Sequence, residues 1–399
     1  MNKIVGILKH SRAYFIISVL FLFTFSFAMF QGGFVSWFIF FTILPFLLYS
    51  LLLAVIPLRI CHVTRDITPT RLTSGDQATI KVRFENKSLF PIVFIVVREL
   101  HMDKSFYTMA KGRSSNLFLA GWKRRFEWTY ELENLQRGEH QFSALELTVT
   151  DFFGWVVRKK VIEQPNTLLV YPKTVDMGYT SLQVQYDQGA VVTKYPVLKD
   201  TTMVTGVRDY QPGDRFSWID WKSFAKNGKL RTKEFEDRQS QSLFVTMDCT
   251  AVTNFEEVVE LTASMLKSVV KRRGDVAFLS GGESRVYYPT IRTSLQLEKV
   301  MQHLAVVQPN AVLTVEGLLR DERELNNSTL ILITGQLTDD LKTFLLKSTK
   351  YARAVICFVV VTKEQLKQQQ GTPMKFPNAK IVYVTKDMFS QAFTEVNKP

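Results

Sequence analysis

The chain has 399 residues, a formal net charge of +13 and 46% hydrophobic residues. That length allows two or three domains at roughly 100–200 residues each, and the apolar content suits a globular protein. Its 3 cysteines, Cys61, Cys249 and Cys357, are odd in number and far apart, which excludes a disulfide framework and a Cys-x-x-Cys pair. The basic residues form no long run and no stripe with aromatic platforms, so a nucleic-acid partner is not expected.

No charged residue occurs between Arg12 and Arg59. A spanning helix needs about 20 apolar residues, because the hydrocarbon core is about 30 Å thick and a helix rises about 1.5 Å per residue. Residues 13–58 hold two such spans, near 13–30 and 34–58, with Gln31-Gly32-Gly33 as the turn and Pro45 inside the second. A cleaved signal peptide is the rival reading. Its apolar core would be only about 7–15 residues long and would end at a small-residue cut site; no such site follows the first span. Lys3, Lys9 and Arg12 precede the hairpin, Arg59 and Arg65 follow it, and the turn has no charge. Cationic flanks stay cytoplasmic. The expectation is a cell-membrane protein with a cytoplasmic arm at 1–12, a two-helix hairpin at 13–58, and both termini inside. Membrane lipid is then a partner, and anionic lipid beside the basic soluble part accounts for the charge.

Residues 65–173 read as strands. ATIKVRFEN (78–86), PIVFIVVREL (91–100), RRFEWTYEL (124–132) and SALELTVTD (143–151) alternate or run apolar at strand length, with turn residues such as Ser74-Gly75-Asp76 and Arg137-Gly138-Glu139 between them. Short, regularly spaced strands without helical stretches predict an all-β, immunoglobulin-like sandwich. Residues 174–241 read as a connector. From 242 to 399, apolar strands alternate with amphipathic helices. LFVTMD (243–248), DVAFLSGG (275–282), TLILITG (329–335), AVICFVVV (354–361) and KIVYV (380–384) are the strands. Helices are expected at 254–273, with Asn254 as N-cap, and at 294–307, 339–352 and near 388–397. This alternation predicts an α/β, doubly wound, mostly parallel sheet.

Residues 206–236 fit neither a plain helix nor a plain strand. Arg208, Asp214, Asp220, Lys222, Lys226, Arg231, Lys233, Glu234 and Glu236 lie among Tyr210, Trp218 and Trp221, and Pro212-Gly213-Asp214 is a turn. Such charges form ion-pair networks with bidentate Arg–Asp bonds. Two compatible readings stand: the network clips the sandwich to the α/β domain, or it is a recognition surface for a partner or an anionic ligand. A catalytic use of Asp214 or Asp220 as acid or base has no paired base, nucleophile or cofactor motif to support it.

Gly206-x-Arg208-x-Tyr210-x-Pro212-Gly213-Asp214, then Ile219-Asp220-Trp221, Ala225-Lys226, Leu230, Lys233 and Glu236, resembles the signature of the domain-of-unknown-function 58 family. Arg137-Gly138-Glu139-His140, Thr150-Asp151-Phe152-Phe153-Gly154-Trp155 and Val170-Tyr171-Pro172 extend the resemblance, as do the two N-terminal helices. Ser217-Trp218 stands where the family often has an Arg, and Lys226 stands for the Arg of its Ala-Arg pair. The resemblance implies a C-terminal half similar to a von Willebrand factor A domain. The D-x-S-x-S metal motif of such domains reads here Asp248-Cys249-Thr250-Ala251-Val252, with Val252 in place of the second hydroxyl and Thr334-Gly335 where a further Asp is often found. Asp248 and Thr250 therefore mark either a degenerate Mg²⁺ site or a vestigial one in which Asp248 caps the following loop; no cofactor is expected.

The chain has no G-x-x-x-x-G-K-[ST] loop, no G-x-G-x-x-G after a strand, no H-E-x-x-H and no G-x-S-x-G, and its 5 histidines are scattered. The expected function is a membrane-anchored, non-enzymatic scaffold or adaptor whose cytoplasmic α/β domain binds a protein. The family resemblance implies a MoxR-type AAA+ ATPase or a transglutaminase-like membrane protein as partner. The rivals are an envelope-associated enzyme using Asp214 or Asp220, and a basic surface for anionic lipid.

Overall fold

The apolar run folds into helix α1 (Asn2–Gln31) and helix α2 (Gly33–Val55), joined through Gly32 and Gly33, both at positive φ. Glycine takes that conformation without a Cβ penalty, which permits so short a turn. The helices run antiparallel, with the Phe40 ring 5.9 Å from Phe21 and 5.8 Å from Phe25. Pro45 lies inside α2 without ending it. By length and composition, both are apolar enough to cross a membrane. The computed structural model describes residues 2–57, 60–87, 90–101, 105–178, 204–212, 214–235, 243–320, 328–347, 352, 354–368, 376 and 379–396. The chain forms two compact units, Met1–Lys173 with Met301–Val307 and Thr174–Val300 with Gln308–Pro399.

The first unit joins the hairpin to eight strands: β1 (Ile60–Thr68), β2 (Leu72–Thr73), β3 (Ala78–Asn86), β4 (Ile92–His101), β5 (Ser115–Gly121), β6 (Arg125–Leu132), β7 (Gly138–Thr150) and β8 (Val157–Tyr171). One turn of helix, α3 (Ser105–Met109), follows β4. The strands make a three-stranded sheet, β1-β3-β6, and a five-stranded sheet, β2-β8-β7-β4-β5. All neighbours are antiparallel except β2 and β8. Strand β6 alternates exposed and buried along RFEWTYEL, as a half-buried strand must at period two. Ile80, Val82 and Trp128 of the first sheet share one core with Ile95, Leu145 and Val149 of the second.

A buried charge cluster crosses that core. The Arg65 guanidinium on β1 donates to Glu99 on β4, from Nη2 to Oε2 at 2.8 Å and from Nε to Oε1 at 3.3 Å. Its Nη1 donates to the Gln164 carbonyl on β8 at 2.8 Å, and the Tyr130 hydroxyl on β6 donates to Glu99 at 3.0 Å. Burial pushes the Glu99 carboxyl up, against the pull of Arg65 beside it. Arg65 was expected among the cations flanking the hairpin. It is also a core residue, with its charge met by Glu99. Arg59 lies outside the described residues.

The second unit opens with the hairpin of β9 (Val204–Asp209) and β10 (Arg231–Phe235), antiparallel and connected through a 3-10 turn (Phe216–Trp218) and helix α4 (Trp221–Asn227). The segment expected to be neither helix nor strand thus contains both, in pieces too short for either period to show. The chain continues as β11 (Leu243–Met247), α5 (Phe255–Lys271), β12 (Val276–Gly281), β13 (Arg285–Ile291), α6 (Ser294–Val306), α7 (Val315–Leu319), β14 (Thr329–Thr334), α8 (Asp339–Lys347), β15 (Ala354–Val360), α9 (Lys363–Gln368), β16 (Ala379–Val384) and α10 (Ala392–Val396). Strand order is β13-β12-β11-β14-β15-β16, parallel except for the antiparallel edge strand β13. Every residue of β11, β12, β14 and β15 is buried, as strands covered on both faces require. Each fully buried Leu, Ile or Phe contributes about 1.5–3 kcal/mol of transfer free energy. The sequence reading missed β13, whose half-exposed RVYYPTI carries Pro289; an edge strand tolerates a proline that a central one does not.

Candidate functional site

The strand order reverses between β11 and β14, and open α/β sheets take ligands outside the carboxyl ends of the strands at such a point. Asp248 and Thr334 stand there. The Asp248 backbone N–H donates to the Ile333 carbonyl at 2.9 Å, one residue beyond β11. Its Oδ1 accepts from the Thr250 backbone N–H at 3.0 Å and the Thr250 hydroxyl at 2.6 Å. Its Oδ2 accepts from the Thr334 hydroxyl at 2.8 Å. Asp248 therefore caps its own loop and ties it to the end of β14. Thr334 entered the sequence reading only as a departure from the family pattern. Its place at a strand end beside the reversal was the signal available.

Asn254 does not cap α5 with its side chain. Its Nδ2 reaches across the sheet end and donates to the carbonyls of Val360 at 2.6 Å and Gly335 at 3.3 Å. One side chain thus joins the loop after β11 to the ends of β14 and β15. A Cβ on Gly335 would meet Asn254 Oδ1 and Val252 Cγ2 at 2.6 Å, so glycine is required for this close approach. Beneath the edge, burial pushes the Cys357 thiol far up, and the Asp248 charge adds to the shift. Such a thiol is inert rather than nucleophilic.

Mg²⁺ wants near-octahedral oxygen ligands and is usually held by one or two carboxylates together with water and substrate oxygens. Asp248 supplies one carboxylate, both of whose oxygens already accept from threonine hydroxyls. Among the described residues there is no group of three or more His, Cys, Asp or Glu side chains placed to hold an ion. The donor set does not fit the metal.

The signature segment closes on itself. Arg208 on β9 binds Asp214 with two parallel bonds, Nη1 to Oδ2 at 2.8 Å and Nη2 to Oδ1 at 2.6 Å. Oδ2 also accepts from the Gln211 backbone N–H at 2.9 Å and the Thr232 hydroxyl at 3.1 Å. The Arg208 bonds, then the Gln211 N–H, hold the Asp214 carboxyl down to about 2. Gly206 and Lys233 sit in register on the two strands, opposite Glu234 and Val207. The Tyr210 N–H donates to the Leu230 carbonyl at 3.1 Å. Ile219 is buried and bridges to Thr232. Asp220 precedes α4 without capping it by side chain; its N–H donates to the Arg231 carbonyl at 2.9 Å. Pro212 is exposed. Gly213 and Glu236 lie outside the described residues. Trp221 is 61% exposed, with its ring 6.2 Å from that of exposed Phe224, and Phe216 and Leu230 are exposed in the same segment. The Arg208–Asp214 pair is the bidentate bond expected of this segment, and Trp221 faces outward.

A hairpin of long apolar helices, a β-unit and a doubly wound sheet preceded by the Arg208–Asp214 segment define the class of protein, and the sequence comparisons name its family. The chain belongs to the family described as "Protein of unknown function DUF58", whose model matches residues 206–371. Over 346 residues it is 33% identical to the Bacillus subtilis (strain 168) protein described as "Uncharacterized protein YeaD", covering 86% of this chain and 87% of that one. Among solved structures it is similar to the SpRpn10 VWA domain, at 9% identity and a TM-score of 0.28, covering 38% of this chain and 93% of that chain. It is also similar to a conjugative transposon lipoprotein from Bacteroides eggerthii, at 15% identity and a TM-score of 0.16, covering 26% and 94% respectively. Scores at this level assign no fold; the strand order described above does that.

Proposed function

We propose that the protein is a membrane-anchored adaptor without turnover. In this reading α1 and α2 span the cell membrane with both termini cytoplasmic. The β-unit is an immunoglobulin-like sandwich acting as a spacer, and the α/β domain docks a protein at the carboxyl edge of its sheet. The observation that carries the reading is the construction of that edge. Asp248, Thr250, Thr334 and Asn254 lock the ends of β11, β14 and β15 into one surface at the point of strand reversal, and rigid elements of this kind favour recognition because little order must be imposed on binding. No metal is assigned to it. The enzyme reading has less support: Asp214 is engaged by Arg208, Gln211 and Thr232 and held ionised near 2, whereas a general acid or base works near the ambient pH. A MoxR-type AAA+ ATPase or a transglutaminase-like membrane protein is the partner class that the family resemblance implies; nucleic acid is not.

The test titrates a purified MoxR-type ATPase from the same organism against the full chain in lipid nanodiscs. Binding that falls tenfold or more in Asp248→Ala, with the thermal melt preserved, is the expected result. Equal binding by wild type and Asp248→Ala overturns docking at this edge. Hydrolysis of envelope material that disappears in a folded Asp220→Asn would put an enzyme in the adaptor's place.

A further inference from the structure

The conspicuous motif Asp151-Phe152-Phe153-Gly154-Trp155 plays no part in the adaptor reading, yet it meets the helical hairpin. Asp151 is buried. Its Oδ2 accepts from the Ser50 hydroxyl of α2 at 2.7 Å, and its Oδ1 from the Val156 N–H at 3.1 Å. The Phe152 ring lies 5.3 Å from both Phe46 and Tyr49 of α2, and the Phe153 ring lies 5.8 Å from Phe46. Tyr49 also accepts from the Val93 N–H at 3.1 Å, and Arg158 donates to the carbonyls of Leu53 and Ile56. These residues all belong to one end of the five-stranded sheet: the start of β4, the end of β7 and the start of β8. The end of β5 is there too, because Gly121 pairs with Ile92.

Contact with α2 does not cover the aromatic rings. Phe152 is 46% exposed, Phe153 51% and Trp122, at the end of β5, 77%. Leu119 is exposed on the same strand and pairs with Phe94, whose ring lies 5.7 Å from Phe152. Exposed Lys123 and Arg124 follow Trp122 directly. Depth along α2 identifies what this surface meets. Phe46 precedes the end of α2 by roughly 14 Å at about 1.5 Å per residue. A hydrocarbon core about 30 Å thick that begins at Gly33 ends near Leu53. By that count Phe46 lies roughly 10 Å and Tyr49 roughly 6 Å inside the boundary, so the rings packed on them reach the depth to which the apolar face of an interfacial element is buried, about 5–10 Å.

We infer that this end of the sheet is a second membrane contact, which inserts Phe152, Phe153 and Trp122 into the lipid interface and places Lys123 and Arg124 against anionic headgroups. The inference rests on the bilayer-spanning reading of the hairpin but is independent of docking at the α/β edge. It sets the β-unit on the bilayer surface, where a flexible tether would leave it free in water.

The full chain is reconstituted in vesicles of phosphatidylcholine with phosphatidylglycerol. A genetically encoded fluorescent amino acid is placed in turn at Phe38, Trp122, Phe153 and Lys111, which follows the opposite end of β4. Quenching by doxyl-labelled lipid is compared with quenching by aqueous iodide. The expected result is lipid quenching at Phe38, Trp122 and Phe153 at least threefold above that at Lys111. With the label at Phe153, Lys123→Glu combined with Arg124→Glu lowers lipid quenching at least twofold in anionic vesicles. Lipid quenching at Phe38 with iodide quenching at Trp122 and Phe153 overturns the second contact and leaves the anchor standing. Iodide quenching at all four positions overturns the anchor and this inference with it.

Discussion

Two arginine–carboxylate pairs, each with two bonds from the guanidinium, do opposite things in this molecule. Arg65 and Glu99 have fully buried side chains and join the two sheets of the first unit. Arg208 and Asp214 are 37% and 13% exposed and hold one short segment of the second unit in shape. Burial wins at Glu99 and pushes its carboxyl up, whereas hydrogen bonding wins at Asp214 and holds it down to about 2. Asp214 accepts one bond more than Glu99, from the Gln211 N–H, but the direction at Glu99 is set by its burial, which outweighs the Arg65 and Tyr130 bonds. Removal of water decides it. A buried pair is an obligation on both partners, and an exposed pair is a local fastening.

The largest expected effect tests that obligation. Glu99→Leu strands the Arg65 charge in the core and should cost about 3–5 kcal/mol in denaturant unfolding of the detergent-solubilised chain. Arg65→Met together with Glu99→Leu should recover most of the loss, since an apolar pair of similar volume is often neutral or better. A loss below 1 kcal/mol for the single variant would break the comparison. Ser50→Ala gives an intermediate case. It takes the α2 hydroxyl from buried Asp151, and the cost is about 1–3 kcal/mol for an acceptor left short of a donor. Asp214→Asn should have the smallest effect on the global melt. It should speed amide exchange in the 204–235 segment severalfold, starting at Gln211, whose N–H binds Asp214.

Acid sharpens the same contrast. The Asp214 carboxyl is depressed from 3.8 to about 2 in the folded chain, so the folded state binds its proton less readily than the unfolded state does. Its contribution is present above the ordinary value and is lost as pH falls through the folded one. Pepsin cleavage within 204–235 should therefore rise as pH drops from about 4 towards 2. The same rise in Asp214→Asn would show that another group is responsible.

The sequence reveals patterns that repeat and conceals arrangements that depend on one residue. The hairpin was legible because no charge interrupts 13–58. Strand β6 was legible because RFEWTYEL alternates, and the α/β half because buried strands alternate with amphipathic helices. Strand β5 was missed: SNLFLAG exposes Leu117 and Leu119 and lacks the expected polar outer face. The Asp248–Thr250 contact could be anticipated from spacing two residues apart, but Asp248–Thr334 and Asn254–Val360 could not. They join residues brought together only when β11, β14 and β15 lie side by side. The identity of Arg65 as a core residue was hidden for the same reason, since its partner lies 34 residues on.

The Ser50–Asp151 bond also bears on how the chain is made. A ribosome delivers α2 long before β7, and domains fold from the N-terminal side as synthesis proceeds at roughly 5–20 residues per second. Ser50 therefore waits on the order of ten seconds for a partner 101 residues later. The β-unit is then completed against a helix that was made first, and the last bond between them closes only when β7 has been delivered.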